Sequence, residues 1–259
     1  YIFHGLLFFM AVSVFSNQFA HKVVVLTGAG KGIGRAAMLA FHAAGARVIA
    51  HLGRNADYRS GLPEDIQTTL GDFTQPAEQL SFVKFIRSHA ASVDVLVNNA
   101  GTMFGRFPAE ELSDEDYERI VELNQSAVVR ITRGLLPQLK AAKNASIVNT
   151  VSISALTGGS PGSSIYSATK AFVSTYSRGL ARELGPQGIR VNAVSPGVID
   201  TDFHQSYSSS EKLEATRQQI PLQRLGTPDD CAPAFLFLAS NELSGYITGQ
   251  VIEINGGQR

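Results

Sequence analysis

Tyr166 and Lys170, four residues apart, are the pair of side chains in this sequence best placed to move a proton. The stretch 166–174 holds no glycine or proline and reads as helix, where a spacing of four puts both residues on one face. A phenol alone is a poor acid–base group near neutral pH, because its ordinary pKa is about 10. A fixed ammonium nearby favours the phenolate and is expected to bring that pKa toward the working range. The same spacing also describes an ordinary solvated helix face, so the pair takes its meaning from the elements around it.

Those elements alternate. Strands are expected at 22–27, 47–51, 66–70, 93–97, 146–151, 188–194 and 251–254, with helical patterns between them. Among the helices, 35–44 follows the first strand and 76–90 carries Leu80, Phe82, Val83, Phe85 and Ile86 at helical spacing. Ser113-Asp-Glu-Asp116 has the form of a capping box opening a long helix, and Thr227-Pro-Asp-Asp230 caps another with proline at its first position. Strand–helix alternation with no repeat or linker predicts an α/β fold: one doubly wound parallel sheet of about seven strands, covered on both faces. Residues 20–259 form the domain, after an extension at 1–19.

The first strand runs into Thr27-Gly28-Ala29-Gly30-Lys31-Gly32-Ile33-Gly34 and then a helix. Strand, glycine loop and helix together bring backbone N–H groups and a helix N-terminus to a pyrophosphate, and glycine is needed where a side chain would block it. The second strand ends at Leu52-Gly53-Arg54-Asn55, where a dinucleotide fold meets the adenosine ribose. No acid occurs over 47–55; Lys31 and Arg54 are the cations at hand, either for a 2′-phosphate or as solvated surface charges. Asp72 has two readings, a bond to the adenine amino group or a turn cap. The fourth strand ends in Asn98-Asn-Ala100-Gly101, small residues that leave room for a ligand. Asn124 falls inside a helix, where asparagine is mildly unfavourable and surface exposure is its ordinary explanation. The fifth strand leads to Ser152-Ile-Ser154, and Pro196-Gly197 breaks the sixth. The polar stretch 201–227, with serines at 206 and 208–210, reads as a flap over a site.

Composition bounds the function. Lys plus Arg and Asp plus Glu are 22 each, so the net charge is zero, and no basic block points to nucleic acid or an anionic membrane surface. The lone cysteine, Cys231, lies in a helical run and reads as a structural thiol in a reducing compartment, hence a cytoplasmic location. Tyr1 is not a natural start; Met10 is the alternative, and residues 1–9 are set aside from the fold. The apolar run 5–15 is about eleven residues, too short to span a bilayer, and lacks the flanking cations and cleavage site of a signal peptide.

Taken together, Thr27–Gly34, Asn98–Gly101, Asn124, Ser152, Tyr166-x-x-x-Lys170, Pro196-Gly197 and the ending Ile247-Thr-Gly-Gln-Val-Ile-Glu-Ile-Asn-Gly256 resemble the short-chain dehydrogenase/reductase family. The match runs from about residue 20 onward, and is nearest the 3-oxoacyl-carrier-protein reductases, sugar or polyol dehydrogenases and small-ketone reductases. The resemblance implies hydride transfer between NADP(H) and a ketone or secondary alcohol, with NAD(H) as the other possible cofactor, and no metal. It implies that Tyr166 exchanges the proton, Ser152 holds the carbonyl oxygen, Lys170 binds the nicotinamide ribose and lowers the Tyr166 pKa, and Asn124 relays protons through a water. Gly28, Gly30, Lys31, Gly32, Ile33, Gly34, Arg54, Asp72, Asn98, Ala100, Gly101, Pro196, Gly197, Ile199 and Thr201 would line the cofactor. Ser154 competes with Ser152, whose place just after strand five favours it. Val151 stands where many members have serine, and Leu52 where NAD-preferring members have Asp. A homotetramer, or a homodimer, is implied by resemblance alone.

A non-catalytic dinucleotide-binding sensor is the competing reading, disfavoured by the complete set of proton-transfer groups. A carrier-protein substrate would call for cations at the site mouth, for which Lys140, Lys143 and Arg182 are candidates; a sugar would suit the serine-rich flap equally well.

Overall fold

The computed structural model describes residues 15–258, except the side chains of 204–206. The expectations for residues 1–9, and nearly all of the run 5–15, fall outside the described residues. Seven strands form one parallel sheet in the order β3-β2-β1-β4-β5-β6-β7. They are β1 Val23–Leu26, β2 Arg47–His51, β3 Gln67–Thr69, β4 Val95–Asn98, β5 Ser146–Thr150, β6 Arg190–Pro196 and β7 Val251–Ile254. The helices are α1 Gly32–Ala43, α2 Pro76–His89, α3 Asp114–Val121, α4 Ala127–Ala141, α5 Ser154–Thr157, α6 Ser164–Leu184, α7 Asp202–Tyr207, α8 Ser210–Gln219, α9 Pro228–Ala239 and α10 Asn241–Ser244.

The central strands are buried on both faces, which is why β1 and β4 read as nearly continuous apolar runs. Along β1, Val24 and Leu26 join a core with Met38, Phe41 and Phe235, while Val25 points the other way, toward Ile86, Leu96, Leu135 and Ile147. The period of two along each strand thus assigns α1 and α9 to one face, and α2 and α4 to the other. Sheet order reverses between β1 and β4, so their carboxyl ends diverge and open a crevice.

Sequence reading located all seven strands; β4 starts two residues later than expected, and β6 is displaced by two residues at both ends. It begins at Arg190 rather than 188, because Gly188 is left-handed (φ 74°), and it continues to Pro196. Arg190 lies buried under the end of α9, where its guanidinium donates to the Leu238 and Ala239 carbonyls at 2.8 and 3.1 Å. Thr227 and Asp230 form the reciprocal cap of α9. At α3, Ser113 Oγ accepts from Asp116 N–H at 3.1 Å, but the Asp116 carboxylate takes the Ser113 hydroxyl rather than a backbone N–H. Between α3 and α4 the helix widens to a π turn, Glu122–Ser126. No helix among the described residues is long and apolar enough to cross a membrane.

Candidate active site

A cleft of about 760 Å³ opens at the carboxyl ends of the strands. Its lining includes Gly28, Gly30, Lys31, Gly32, Ile33 and Gly34 at one end and Ser152, Tyr166 and Lys170 at the other.

The glycine loop meets the requirements of a phosphate cradle. Gly28 is left-handed (φ 67°), and a Cβ there would lie 2.6 Å from Ala100 Cα. Gly34 packs so closely on the Gly28 carbonyl and the Asn99 amide that no side chain fits. The loop is braced from below. Thr27 Oγ1 accepts from the Asn99 and Ala100 N–H groups at 3.0 and 3.1 Å, and the Asn99 amide donates to Gly28 O at 3.0 Å.

His51, the last residue of β2, takes part as well. Its Nδ1 accepts from Gly28 N–H at 3.4 Å, so Nε2 carries the proton and donates to Gly71 O at 3.0 Å. The ring stacks on Phe73, centres 3.6 Å apart and planes within 6°. Burial pushes its pKa down to about 4, so it is neutral near pH 7. His51, Asn99 and Thr27 brace the glycine loop, and sequence reasoning gave none of them a role of its own. Asn99 has a recoverable signal: side chains alternate along a strand, so adjacent asparagines at its end point to opposite sides. Asn98 requires a correction. It does not line the cleft; its amide is buried and donates to Thr132 Oγ1 at 3.0 Å and Asn149 Oδ1 at 2.9 Å.

The cations proposed for a 2′-phosphate both line the cleft, and each has an acidic partner. Lys31 meets Asp202 at 3.0 Å, and Arg54 meets Asp72 at 3.2 Å. Asp72 also accepts from Thr74 N–H and Oγ1 at 3.0 and 2.7 Å, so the turn-cap reading describes its geometry. Tyr58 joins this end of the cleft, its ring against Gly30, while Arg35 donates to its carbonyl at 2.8 Å. Ala100, Gly101, Pro196, Gly197, Ile199 and Thr201 line the wall toward the other end.

There the hydroxyls form a chain. Ser154 Oγ and N–H both donate to Ser152 Oγ, at 3.0 and 3.2 Å, and Ser152 acts on the Tyr166 hydroxyl beside it. Ser154 thus supports Ser152 rather than replacing it. The expected lowering of the Tyr166 pKa is not found. Burial in the cleft outweighs the effect of Ser152 and pushes the phenol up to about 12. Lys170 Nζ lies 5.7 Å from the centre of the Tyr166 ring and donates to the Thr150 carbonyl at 3.0 Å. Burial in turn pulls the Lys170 pKa down to about 8.

Asn124 is fully buried, contrary to the surface explanation, and sits in the π turn. Its amide donates to Thr102 O and Ile120 O at 2.7 and 2.9 Å, while its Oδ1 has no hydrogen-bond partner. That oxygen and Lys170 Nζ face the same spot: a Cβ on Gly101 would lie 2.7 and 2.9 Å from them. A buried acceptor and a buried ammonium around one small gap suit a bridging water.

Beyond Tyr166 the wall is aromatic. Phe203 lies 5.8 Å from the Tyr166 ring and 5.0 Å from Tyr207. The segment 201–227 contains two helices, α7 and α8, and contributes Tyr207, Ser208, Lys212, Leu213 and Thr216 to the cleft. The cations suggested for the site mouth are not there. Lys140, Lys143 and Arg182 are exposed elsewhere, and Arg106, Arg119 and Lys212 line the cleft instead.

The chain has close relatives. A family model described as enoyl-(acyl carrier protein) reductase matches residues 28–259. The 3-oxoacyl-[acyl-carrier-protein] reductase of Thermotoga maritima is 36% identical over 242 residues, 91% of this chain and 97% of that protein. A Brucella melitensis structure titled short-chain dehydrogenase/reductase, glucose/ribitol dehydrogenase superposes with a TM-score of 0.85 at 33% identity, covering 93% and 97% of the two chains. A putative NAD(P)-dependent gluconate 5-dehydrogenase from Beutenbergia cavernae, with NADP bound at low occupancy, gives 0.85 at 31% identity over 94% and 98%.

Proposed function

The chain belongs to the short-chain dehydrogenase/reductase family of oxidoreductases, and on that premise we propose that it reduces a ketone, or oxidises the matching secondary alcohol, with NADP(H). The observation that carries this reading is that Tyr166 and Ser152 line one end of the cleft together, with the Lys170 ammonium buried 5.7 Å from the centre of the Tyr166 ring. The bound nicotinamide supplies or accepts the hydride. The protein holds the substrate and moves the proton.

A phenol with a pKa of about 12 is protonated at neutral pH, which fits Tyr166 for the acid role in reduction. Ser152, its own oxygen already accepting from Ser154, is left with a proton to give and orients the substrate oxygen. As the substrate carbon gains hydride, its oxygen takes the Tyr166 proton, and the phenolate is stabilised by Lys170. The phenol regains a proton through Lys170 and a water held by Asn124 Oδ1. In oxidation the same steps run backward and first require the phenolate, so that direction is favoured by higher pH.

NADP(H) over NAD(H) is supported by Leu52 in place of an acid and by Lys31 and Arg54. Their present partners are no obstacle. Lys31 and Asp202 are 52% and 61% exposed, and such pairs contribute at most about 1 kcal/mol. A charge-assisted bond to phosphate contributes roughly 1.5–3 kcal/mol. Both 3-oxoacyl thioesters and sugars or polyols are substrate classes of the relatives. The segment 201–227 serves as the flap over them. We extend the reading to a cytoplasmic homotetramer or homodimer, to be checked by light scattering.

The test is NADPH and NADH consumption over a panel of ketones and thioesters. Turnover with several of them, faster with NADPH, is expected. A chain that binds NADPH yet reduces none would instead fit the non-catalytic sensor.

A further inference from the structure

The two ends of the cleft differ in charge. At the glycine-loop end the lining carboxylates Asp72 and Asp202 are each matched by a cation, Arg54 and Lys31. Beyond Tyr166 the lining holds Arg106, Arg119 and Lys212, and no carboxylate among the described residues. Arg119 is paired with Asp116 at 2.8 Å. Arg106 and Lys212 form no ion pair among the described residues.

Arg106 is a fixed group, not a trailing surface cation. Its Nε donates to Tyr207 O at 2.9 Å and its Nη1 to Pro161 O at 3.2 Å. The next residue, Phe107, donates its N–H to Gly162 O at 2.9 Å. Gly162 is left-handed (φ 79°), and a Cβ on it would lie 3.0 Å from Arg106 Cβ, so glycine lets the two segments close. These bonds leave the Nη2 nitrogen of Arg106 for another partner. Only two rings separate this guanidinium from the proposed acid: Tyr207, which it grips by the backbone, and Phe203, which touches Tyr166. Lys212, in the first turn of α8, faces the same space; its pKa is lowered by burial and then by the charge of Arg106. Two like charges facing one space, with no ion-pair partner among the described residues, are unfavourable until a ligand supplies a counter-charge.

We propose that the substrate is a ketone bearing an anionic group, carboxylate or phosphate, held by Arg106 and Lys212 while its carbonyl meets Tyr166. The proposal rests on the oxidoreductase reading for the reacting group, but the anion subsite is testable without turnover.

Two matched pairs serve as probes, 5-oxohexanoate with its methyl ester and dihydroxyacetone phosphate with dihydroxyacetone. For the full chain, kcat/KM with NADPH is expected to be about tenfold or more higher for the anion in at least one pair, mainly through KM. The pair with the larger ratio tells carboxylate from phosphate. In Arg106→Gln/Lys212→Gln the anion should lose about tenfold more than its neutral partner. Added salt should compress the wild-type ratio, and Arg106→Lys should retain most of it. Lys212 is exposed, so Lys212→Gln alone keeps the test valid where the double variant fails to fold.

Ratios near one in both pairs, or equal losses for charged and neutral members, would overturn the proposal. If no probe is turned over, the oxidoreductase reading is what suffers. Calorimetric titration of the NADPH-bound protein with 5-oxohexanoate and dihydroxyacetone phosphate then decides the subsite. Binding that is lost in the variant supports it, and no binding by wild type overturns it.

Discussion

The cofactor end and the substrate end of this cleft are built in opposite ways. At the cofactor end, Gly28, Thr27, His51 and Asn99 sit on or close after strands β1, β2 and β4, tied to one another by backbone-directed hydrogen bonds. The substrate end is made by side chains of segments far apart in sequence: Arg106 between β4 and α3, Ser154 at the start of α5, and Phe203, Tyr207 and Lys212 on α7 and α8. One end presents main chain to a ligand common to many proteins; the other presents side chains to a ligand of its own. Generic chemistry is therefore carried by the sheet edge, and specificity by the loops.

The largest effect that would break this division is at the junction of the two ends. Tyr166→Phe is expected to lower kcat by about a hundredfold or more, while NADPH binding, followed by fluorescence, is kept. Activity within a few-fold of wild type would remove Tyr166 from the proton-transfer role.

The second prediction concerns the brace under the cofactor end. His51 has a pKa of about 4 in the folded protein, against 6.5 ordinarily, because it is buried. Between those values the unfolded chain binds a proton that the folded chain does not, so stability falls as pH drops from about 6.5 to 4. At about 1.4 kcal/mol per unit the loss reaches roughly 3 kcal/mol. Urea unfolding at pH 7 and pH 4.5 should show this, and His51→Gln should flatten the difference even though it starts less stable. Parallel acid dependences in the two proteins would mean that other groups dominate.

A third expectation bears on cofactor choice alone. Lys31→Ala with Arg54→Ala should reduce the NADPH:NADH ratio of kcat/KM by about tenfold or more, the worth of one to two charge-assisted phosphate bonds. If wild type is as efficient with NADH as with NADPH, the missing acid at Leu52 has been misread. The smallest effect is Asp202→Asn. It frees Lys31 from an exposed pair contributing at most about 1 kcal/mol, so the NADPH preference should rise by no more than about fivefold. A fall instead would show that Asp202 positions Lys31 for the phosphate.

The same division explains what could be read from the sequence. The strands themselves, the glycine loop and the Tyr166–Lys170 pair lie within short windows whose pattern is itself the signal. The Asn98 reading failed because the side of a strand's last residue depends on where the strand ends. Asn124 looked like a surface residue because a π turn leaves no mark on helical periodicity. His51 read as one more strand residue, since nothing local shows that its ring lies under Gly28. The unlowered Tyr166 pKa could not be anticipated either: helical spacing brings Lys170 near but says nothing of how deeply both are buried. Arg106 and Lys212, more than a hundred residues apart, come to line one cleft only after α7 and α8 fold over it.

The strand order β3-β2-β1-β4 also has a consequence for synthesis. These four strands and the bracing of the glycine loop are complete by Ala100, before any of Asn124, Ser152, Tyr166 and Lys170 has been made. At about 5–20 residues per second, the roughly fifty residues from there to the end of β5 take on the order of several seconds to appear. During that interval half a sheet stands with the β4 edge open, waiting for β5, whose pairing brings Asn149 beside Asn98. An unpaired, largely apolar inner strand is a sticky surface, so a vulnerable moment for this chain falls midway through translation.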